Sequence, residues 1–198
     1  MTNSASPASS VSPASTQSAA PLNARFSEIV AYLAQERAEL EAYVLSLPES
    51  SLQRRAHPER WSVAEMLEHL VIVEDGSGRL VSKLVKQAVE EGAVQETDFS
   101  SKLGCLDMYY VDGVKIVAPS FLTPDKQIPV ADSLAALRVT RERLLVAIQK
   151  ANGLDMTRVK GPHPLFGPID GYQWIVMIGK HEERHLHQMK DTVNALTN

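Results

Sequence analysis

One stripe near the C-terminus constrains the fold of this chain more than any other feature. Trp174, Ile178, His181, His185, Gln188 and Thr192 recur at steps of 4, 3, 4, 3 and 4, the spacing with which a bundle helix turns one face to its core. Polar groups on such a face are costly unless they are satisfied, and here three stand in a row where Leu or Ile is expected. Side chains at i and i+4 lie one above the other on a helix, so His181 and His185 can grip one ion together. A metal bound inside a helical bundle resolves the conflict between polarity and burial.

The rest of the chain supplies the partners such a helix needs. A first helix is expected from an Asn23 cap to about Leu47, ahead of Pro48, with Phe26, Ile29, Val30, Leu33, Leu40, Val44 and Leu47 as its apolar stripe. Ser62 and Glu65 form a capping box, with Trp61 and Met66 as a hydrophobic staple, for a second helix from Val63 to about Glu91. Gly76 and Gly78 inside it predict a bend or a close approach. A third helix reads from an Asp132 cap to about Ala151. Leu134, Leu137, Leu144, Leu145 and Ile148 form its apolar face and Arg138, Arg141 and Arg143 its solvated one. Residues 161–168 read as a rigid Pro- and Gly-rich loop. Asp170 and Gln173 then cap the fourth helix, which runs to about Leu196. These elements predict an all-α four-helix bundle.

Between the second and third helices lie about 40 residues, 92 to 131, without helical periodicity. Bundle connections are usually roughly 2–8 residues long, so this stretch must be a crossover, a lid, or both. Tyr109 to Val111 and Val114 to Val117 flank Asp112-Gly113, a possible hairpin turn. Tyr109, Tyr110 and Phe121 are the kind of aromatic cover a ligand pocket uses.

Composition excludes several classes. A formal charge of -4 over 198 residues leaves no basic stripe for nucleic acid. No apolar run approaches the roughly 18 residues of a membrane span. The Ser-, Ala- and Pro-rich residues 1–22 lack the pattern of a signal or transit peptide, so a cytoplasmic setting and a disordered tail ahead of one domain, 23–198, are expected. Cys105 is the single cysteine, which rules out an internal disulfide.

Each of the other histidines has a plain alternative to a functional role. His181 and His185 are either joint ligands, or two helical histidines with one held by a carboxylate and the other solvated. His69, with Met66 and Val73 on its face, is the best third ligand; a satisfied core histidine is its alternative. His187 points roughly 200° away from His185 around the helix, and His57 sits in a polar loop. His163, held between Pro162 and Pro164, either packs structurally or acts in catalysis.

Trp61, His69-Leu70, His163-Pro-Leu-Phe-Gly167, Trp174 and His181-xxx-His185-xx-Gln188, in that order, closely resemble the DinB-like superfamily over roughly residues 24–197. Its members are damage-inducible four-helix-bundle metalloproteins that include thiol-dependent S-transferases. The resemblance implies an up-down-down-up bundle and a divalent metal, zinc or nickel, on His69, His181 and His185. It also implies a small-molecule substrate, with a low-molecular-weight thiol such as mycothiol or bacillithiol as the candidate, and allows a homodimer.

An ion with an open position lowers the pKa of bound water or thiol, or polarises a carbonyl. Thiol transfer, metal-dependent hydrolysis and a non-catalytic, stress-associated metal-binding bundle therefore stand side by side. Gln188, one turn beyond His185, can orient a ligand. Glu65, Glu68 and Asp191 are candidate partners for imidazole N–H groups, and Tyr110 and His163 candidate pocket residues.

Overall fold

In the computed structural model, residues 20–92, 94–109 and 117–197 are described. Helix α1 spans Ala24–Ser46, and the Asn23 side chain accepts from the Phe26 backbone N–H at 2.9 Å. A single turn, α2 (Glu49–Leu52), follows Pro48. Helix α3 (Val63–Glu90) begins at the capping box: Glu65 N–H donates to the Ser62 hydroxyl and Ser62 N–H to the Glu65 carboxylate. Two 3-10 turns, Leu103–Tyr109 and Ser120–Leu122, lead to helix α4 (Val130–Ala151), which is followed by the strands β1 (Lys160–His163) and β2 (Gly167–Asp170) and helix α5 (Gly171–Thr197).

Side-chain contacts fix the direction of each long helix. Arg141 on α4 donates to the Leu33 carbonyl on α1, and Arg37 on α1 to that of Leu137 on α4, so α1 and α4 are antiparallel. Glu68 on α3 meets residues 125–128 just ahead of α4 while Asp75 meets Arg143, so α3 and α4 are parallel. Phe26 packs on Tyr172 and Arg37 on Glu182, so α5 runs with α1. The bundle is up-down-down-up. Parallel neighbours explain the long crossover, because the chain must return along the length of α3, about 42 Å for 28 residues.

The apolar core is divided in two. One half gathers Phe26, Leu33, Val81, Leu144, Tyr172 and Ile178; the other gathers Leu40, Leu70, Leu137, Leu186 and Met189. Between them lies a charged layer with one residue from each long helix. Arg37 donates to Glu182 at 2.7 Å and Glu74 at 2.5 Å, and Arg141 to Glu74 at 2.8 Å and Glu182 at 2.7 Å. All four are buried. Each guanidinium also donates to a main-chain carbonyl, so the layer is saturated with charge-assisted bonds. Arg141 therefore does not belong to the solvated face of α4, as its neighbours suggest. Arg138 and Arg143 do, Arg138 pairing at the surface with Glu41 and Arg143 with Asp75.

Several local expectations are corrected. The segment 161–168 is part of an antiparallel hairpin, with Lys160 opposite Asp170 and Pro162 opposite Pro168; a lone two-stranded ribbon tolerates proline because both strands are edges. Helix α4 starts at Val130, because Pro129 presets the entry dihedral at φ -54°; Asp132 instead lies in the first turn. Leu145 is exposed, not part of the apolar face. Neither Gly76 nor Gly78 is a point of close approach, and α3 runs through both. Such an approach occurs instead at Gly179, where a Cβ would run into the Tyr32 ring of α1. The Asp170 and Gln173 caps are reciprocal at 2.9 Å, as their spacing predicts. The expected hairpin around Asp112-Gly113, Tyr110 and most of the tail fall outside the described residues. Residues 20 and 21 lie against the end of α4, their carbonyls accepting from Gln149 and Asn152.

The crossover is anchored at both ends. At its start, Glu96 accepts from buried Arg25 at 2.5 Å and from the Tyr172 hydroxyl at 2.8 Å. At its end, Glu68 accepts from the backbone N–H groups of Asp125 and Lys126, both at 2.8 Å. Burial raises the Glu68 pKa, but these N–H groups outweigh it and hold the carboxyl below its usual range.

Candidate metal centre

Helix α3 carries His69 and helix α5 carries His181 and His185, and the antiparallel packing of these helices brings the three rings together. Nε2 of His181 lies 3.2 Å from Nε2 of His69 and 3.1 Å from Nε2 of His185. Among the described residues these three form the group of potential ligands able to share an ion, one ring nitrogen each. Metal–nitrogen bonds of about 2.0–2.1 Å in tetrahedral geometry imply nitrogen–nitrogen separations of about 3.3 Å. These two spacings are close to that value, and all three ligand nitrogens lie within 4.8 Å of one another.

Protons cannot satisfy this arrangement alone. Nδ1 of His69 lies 2.7 Å from the Leu122 carbonyl, an oxygen that only accepts, so Nδ1 carries that ring's proton and Nε2 presents a lone pair. His181 Nε2 holds either one proton or one lone pair, so it can hydrogen-bond to one of its two neighbours, and the other contact is left without a hydrogen bond. His185 and His69 are buried and His181 is half-buried. Burial pushes His185 down to about 3, with help from His69 and Arg184, while the Gln188 side chain opposes the shift in part. Burial, then His185 and His69, likewise drive His181 well below its ordinary value, and burial lowers His69. All three are neutral near pH 7, the state that binds metal. Nδ1 of His185 is buried without a hydrogen bond of normal geometry. The residues present fit a divalent cation.

The surroundings differ in part from expectation. Neither Glu65 nor Glu68 supports an imidazole: Glu65 is engaged by Arg55 and the Ser62 cap, and Glu68 clamps the crossover. The Leu122 carbonyl holds His69 instead, and a backbone group leaves no mark in the residue pattern. Trp61 packs over His69 with centroids 4.8 Å apart. Gln188 is exposed on the wall of the cleft rather than buried in the seam, and His187 is exposed at its edge. Cys105 is half-buried, and burial followed by Asp170 pushes its thiol up to about 11, which makes it a poor nucleophile.

The three histidines border a cleft of about 1410 Å³. His163 borders it too, from the end of β1. Its Nδ1 accepts from the Leu165 and Phe166 N–H groups at 3.2 and 3.3 Å, and its ring stacks on Phe166 at 4.2 Å. The neutral ring therefore carries its proton on Nε2.

A four-helix bundle with three convergent histidines at the floor of an open cleft defines the class. The chain belongs to the DinB superfamily, whose sequence profile matches residues 32–189. It is similar to the uncharacterized protein YuaE of Bacillus subtilis (strain 168), with 33% identity over 146 residues, 73% of this chain and 85% of that protein. Its fold is similar to the crystal structure of TT2238, a four-helix bundle protein, with a TM-score of 0.58 at 20% identity over 84% of this chain and 98% of that one. No helix among the described residues is long and apolar enough to cross a membrane.

Proposed function

We propose that this protein is a metal-dependent enzyme that transfers a small-molecule thiol to an electrophile. One observation supports the reading above all: three neutral imidazoles, and no fourth protein ligand among the described residues, converge at the floor of an open cleft. Structural sites are usually closed by four protein ligands, whereas catalytic ones keep a position for substrate. A divalent ion there, zinc or nickel, would supply the Lewis acidity that lets a thiol lose its proton near neutral pH.

The chain's own groups then handle the second substrate. The thiol proton leaves to solvent, sulfur forms a bond to the electrophilic carbon, and the leaving group or opened ring oxygen takes up a proton. His163 presents its Nε2–H from the cleft wall and is the residue assigned to hold that oxygen or leaving group. Gln188, also on the cleft lining, orients the thiol. Burial keeps His163 below its ordinary pKa, so it acts as a neutral donor.

Steady-state turnover tests this reading. Protein loaded with zinc or nickel is assayed with mycothiol, bacillithiol and glutathione against epoxide, haloarene and enone electrophiles, with ester hydrolysis run in parallel. Thiol consumption that depends on His185 supports the proposal. A loaded protein that hydrolyses esters but transfers no thiol assigns it to hydrolysis. One that does neither returns it to a metal-binding, non-catalytic role.

A further inference from the structure

The cleft is far longer than a three-histidine site requires. His69, Val73, Gly76 and Leu80 follow one another at steps of 4, 3 and 4 along α3, and all four border it. On α5 the same happens in reverse from His181 through Met177 to Trp174. The tracks lead away from the histidines for about 16 Å on α3, the rise of 11 residues, and about 10 Å on α5, the rise of 7. They close where Leu80 and Trp174 meet the hairpin: a Cβ on Gly161 would lie 3.1 Å from Leu80 and 2.8 Å from Trp174. The mouth is rimmed by Phe121, Val117 and Leu165, which are 71%, 74% and 52% exposed. Large apolar side chains from two separate loops thus converge on one opening.

Gly76 is the informative residue. A glycine inside a helix weakens it relative to alanine, and such residues usually serve a left-handed backbone or a close approach. Gly76 does neither. Its φ is not positive, and an added Cβ would meet nothing within 4 Å. Gly76 is an exposed residue on the cleft lining, and what it leaves is open space beside the α3 track, one turn before Leu80.

We propose that the chamber over Gly76, between Val73, Leu80, Met177 and Trp174, is a binding subsite for the alkyl or aryl body of the ligand whose head group reaches the histidines. The position of the head rests on the metal-centre reading above; the chamber itself does not. The ligand is accordingly amphipathic, with a metal-seeking end and an apolar body that displaces water from the space Gly76 leaves open.

Two hydroxamates that share a head group and differ by six methylenes, acetohydroxamate and octanohydroxamate, test the subsite on zinc-loaded full-length protein. Binding is read from the fluorescence of Trp61 and Trp174, the two tryptophans of the chain, both on the cleft wall. Wild type should bind octanohydroxamate at least about ten-fold more tightly, a gain well below the limit set by full burial of the extra methylenes. Gly76→Leu adds a side chain whose Cβ meets nothing within 4 Å and should cut that preference to less than about two-fold, with acetohydroxamate affinity and zinc content unchanged. Gly78→Ala, on a buried glycine whose added Cβ likewise meets nothing within 4 Å and which does not line the cleft, controls for the gain in helix stability and should keep the full preference. Equal affinities in wild type, or a full preference in Gly76→Leu, would overturn the subsite. Protein that holds no zinc yet binds octanohydroxamate in a Gly76→Leu-sensitive way keeps the subsite and overturns the metal centre.

Discussion

Replacing Arg141 by methionine should damage the fold more than any nearby surface change. Arg141 is 8% exposed, and its guanidinium makes bonds of 2.8 Å to Glu74, 2.7 Å to Glu182 and 2.6 Å to the Leu33 carbonyl. Methionine fills much of the same volume, so the loss is electrostatic. Two carboxylates are left with Arg37 alone, and a buried charge goes uncompensated. Breaking one partner out of a buried ion pair costs about 3–5 kcal/mol. At roughly 2–4 °C per kcal/mol for a protein of this size, Tm should fall by about 6–20 °C. Arg138, which pairs with Glu41 at the surface, is the control: Arg138→Met should cost less than about 1 kcal/mol. Differential scanning calorimetry on both variants measures the difference. If Arg141→Met melts within about 2 °C of wild type, the charged layer does not hold the bundle as described. A cycle with Glu74→Gln adds a second check, because the double variant should be less destabilised than the sum of the singles.

The histidines predict the acid limb of the chelator-treated protein. His185 falls from an unfolded value of about 6.5 to about 3, chiefly through burial. The unfolded chain therefore binds more protons in that window, so stability is complete above about 6.5 and declines as pH falls toward 3. His185 alone should remove about 2 kcal/mol between pH 7 and 5, a decline that His185→Phe should lack in calorimetric scans. With its thiol up at about 11 through burial and Asp170, Cys105 should react with iodoacetamide at pH 8 on the order of 100-fold more slowly than an unperturbed thiol. The rate should still climb above pH 9, and a plateau near pH 9 would contradict the stated environment.

Much of the site was legible because its side chains sit at the period of the elements that carry them. The i,i+4 pair on α5 puts His181 and His185 on one face without any knowledge of packing, whereas His69 stood beside a core-histidine alternative until the family resemblance selected it. The charged layer was legible by the same rule, although only in retrospect. Arg37 falls between Leu33 and Leu40, Arg141 between Leu137 and Leu144, Glu74 between Leu70 and Val81, and Glu182 between Ile178 and Leu186. A charge at a core position, balanced by opposite charges at the matching level of other helices, marks a buried layer rather than a solvated face. Arg141 was hidden by Arg138 and Arg143, which surround it with true surface positions. The hairpin at 160–170 was obscured by its prolines, whose effect depends on both strands being edges. The Leu122 carbonyl and the N–H groups that Glu68 binds are main-chain atoms, and no side-chain pattern announces them.

Metal stoichiometry tests the central claim most directly. Wild type and the His69→Ala, His181→Ala, His185→Ala and His187→Ala variants are purified, exposed to zinc, desalted and measured by inductively coupled plasma mass spectrometry. The account predicts about one ion per chain in wild type and His187→Ala, and little or none in the other three, because two imidazoles leave the site short of a ligand. Retention of a full ion by His185→Ala, or its loss from His187→Ala, would contradict the triad.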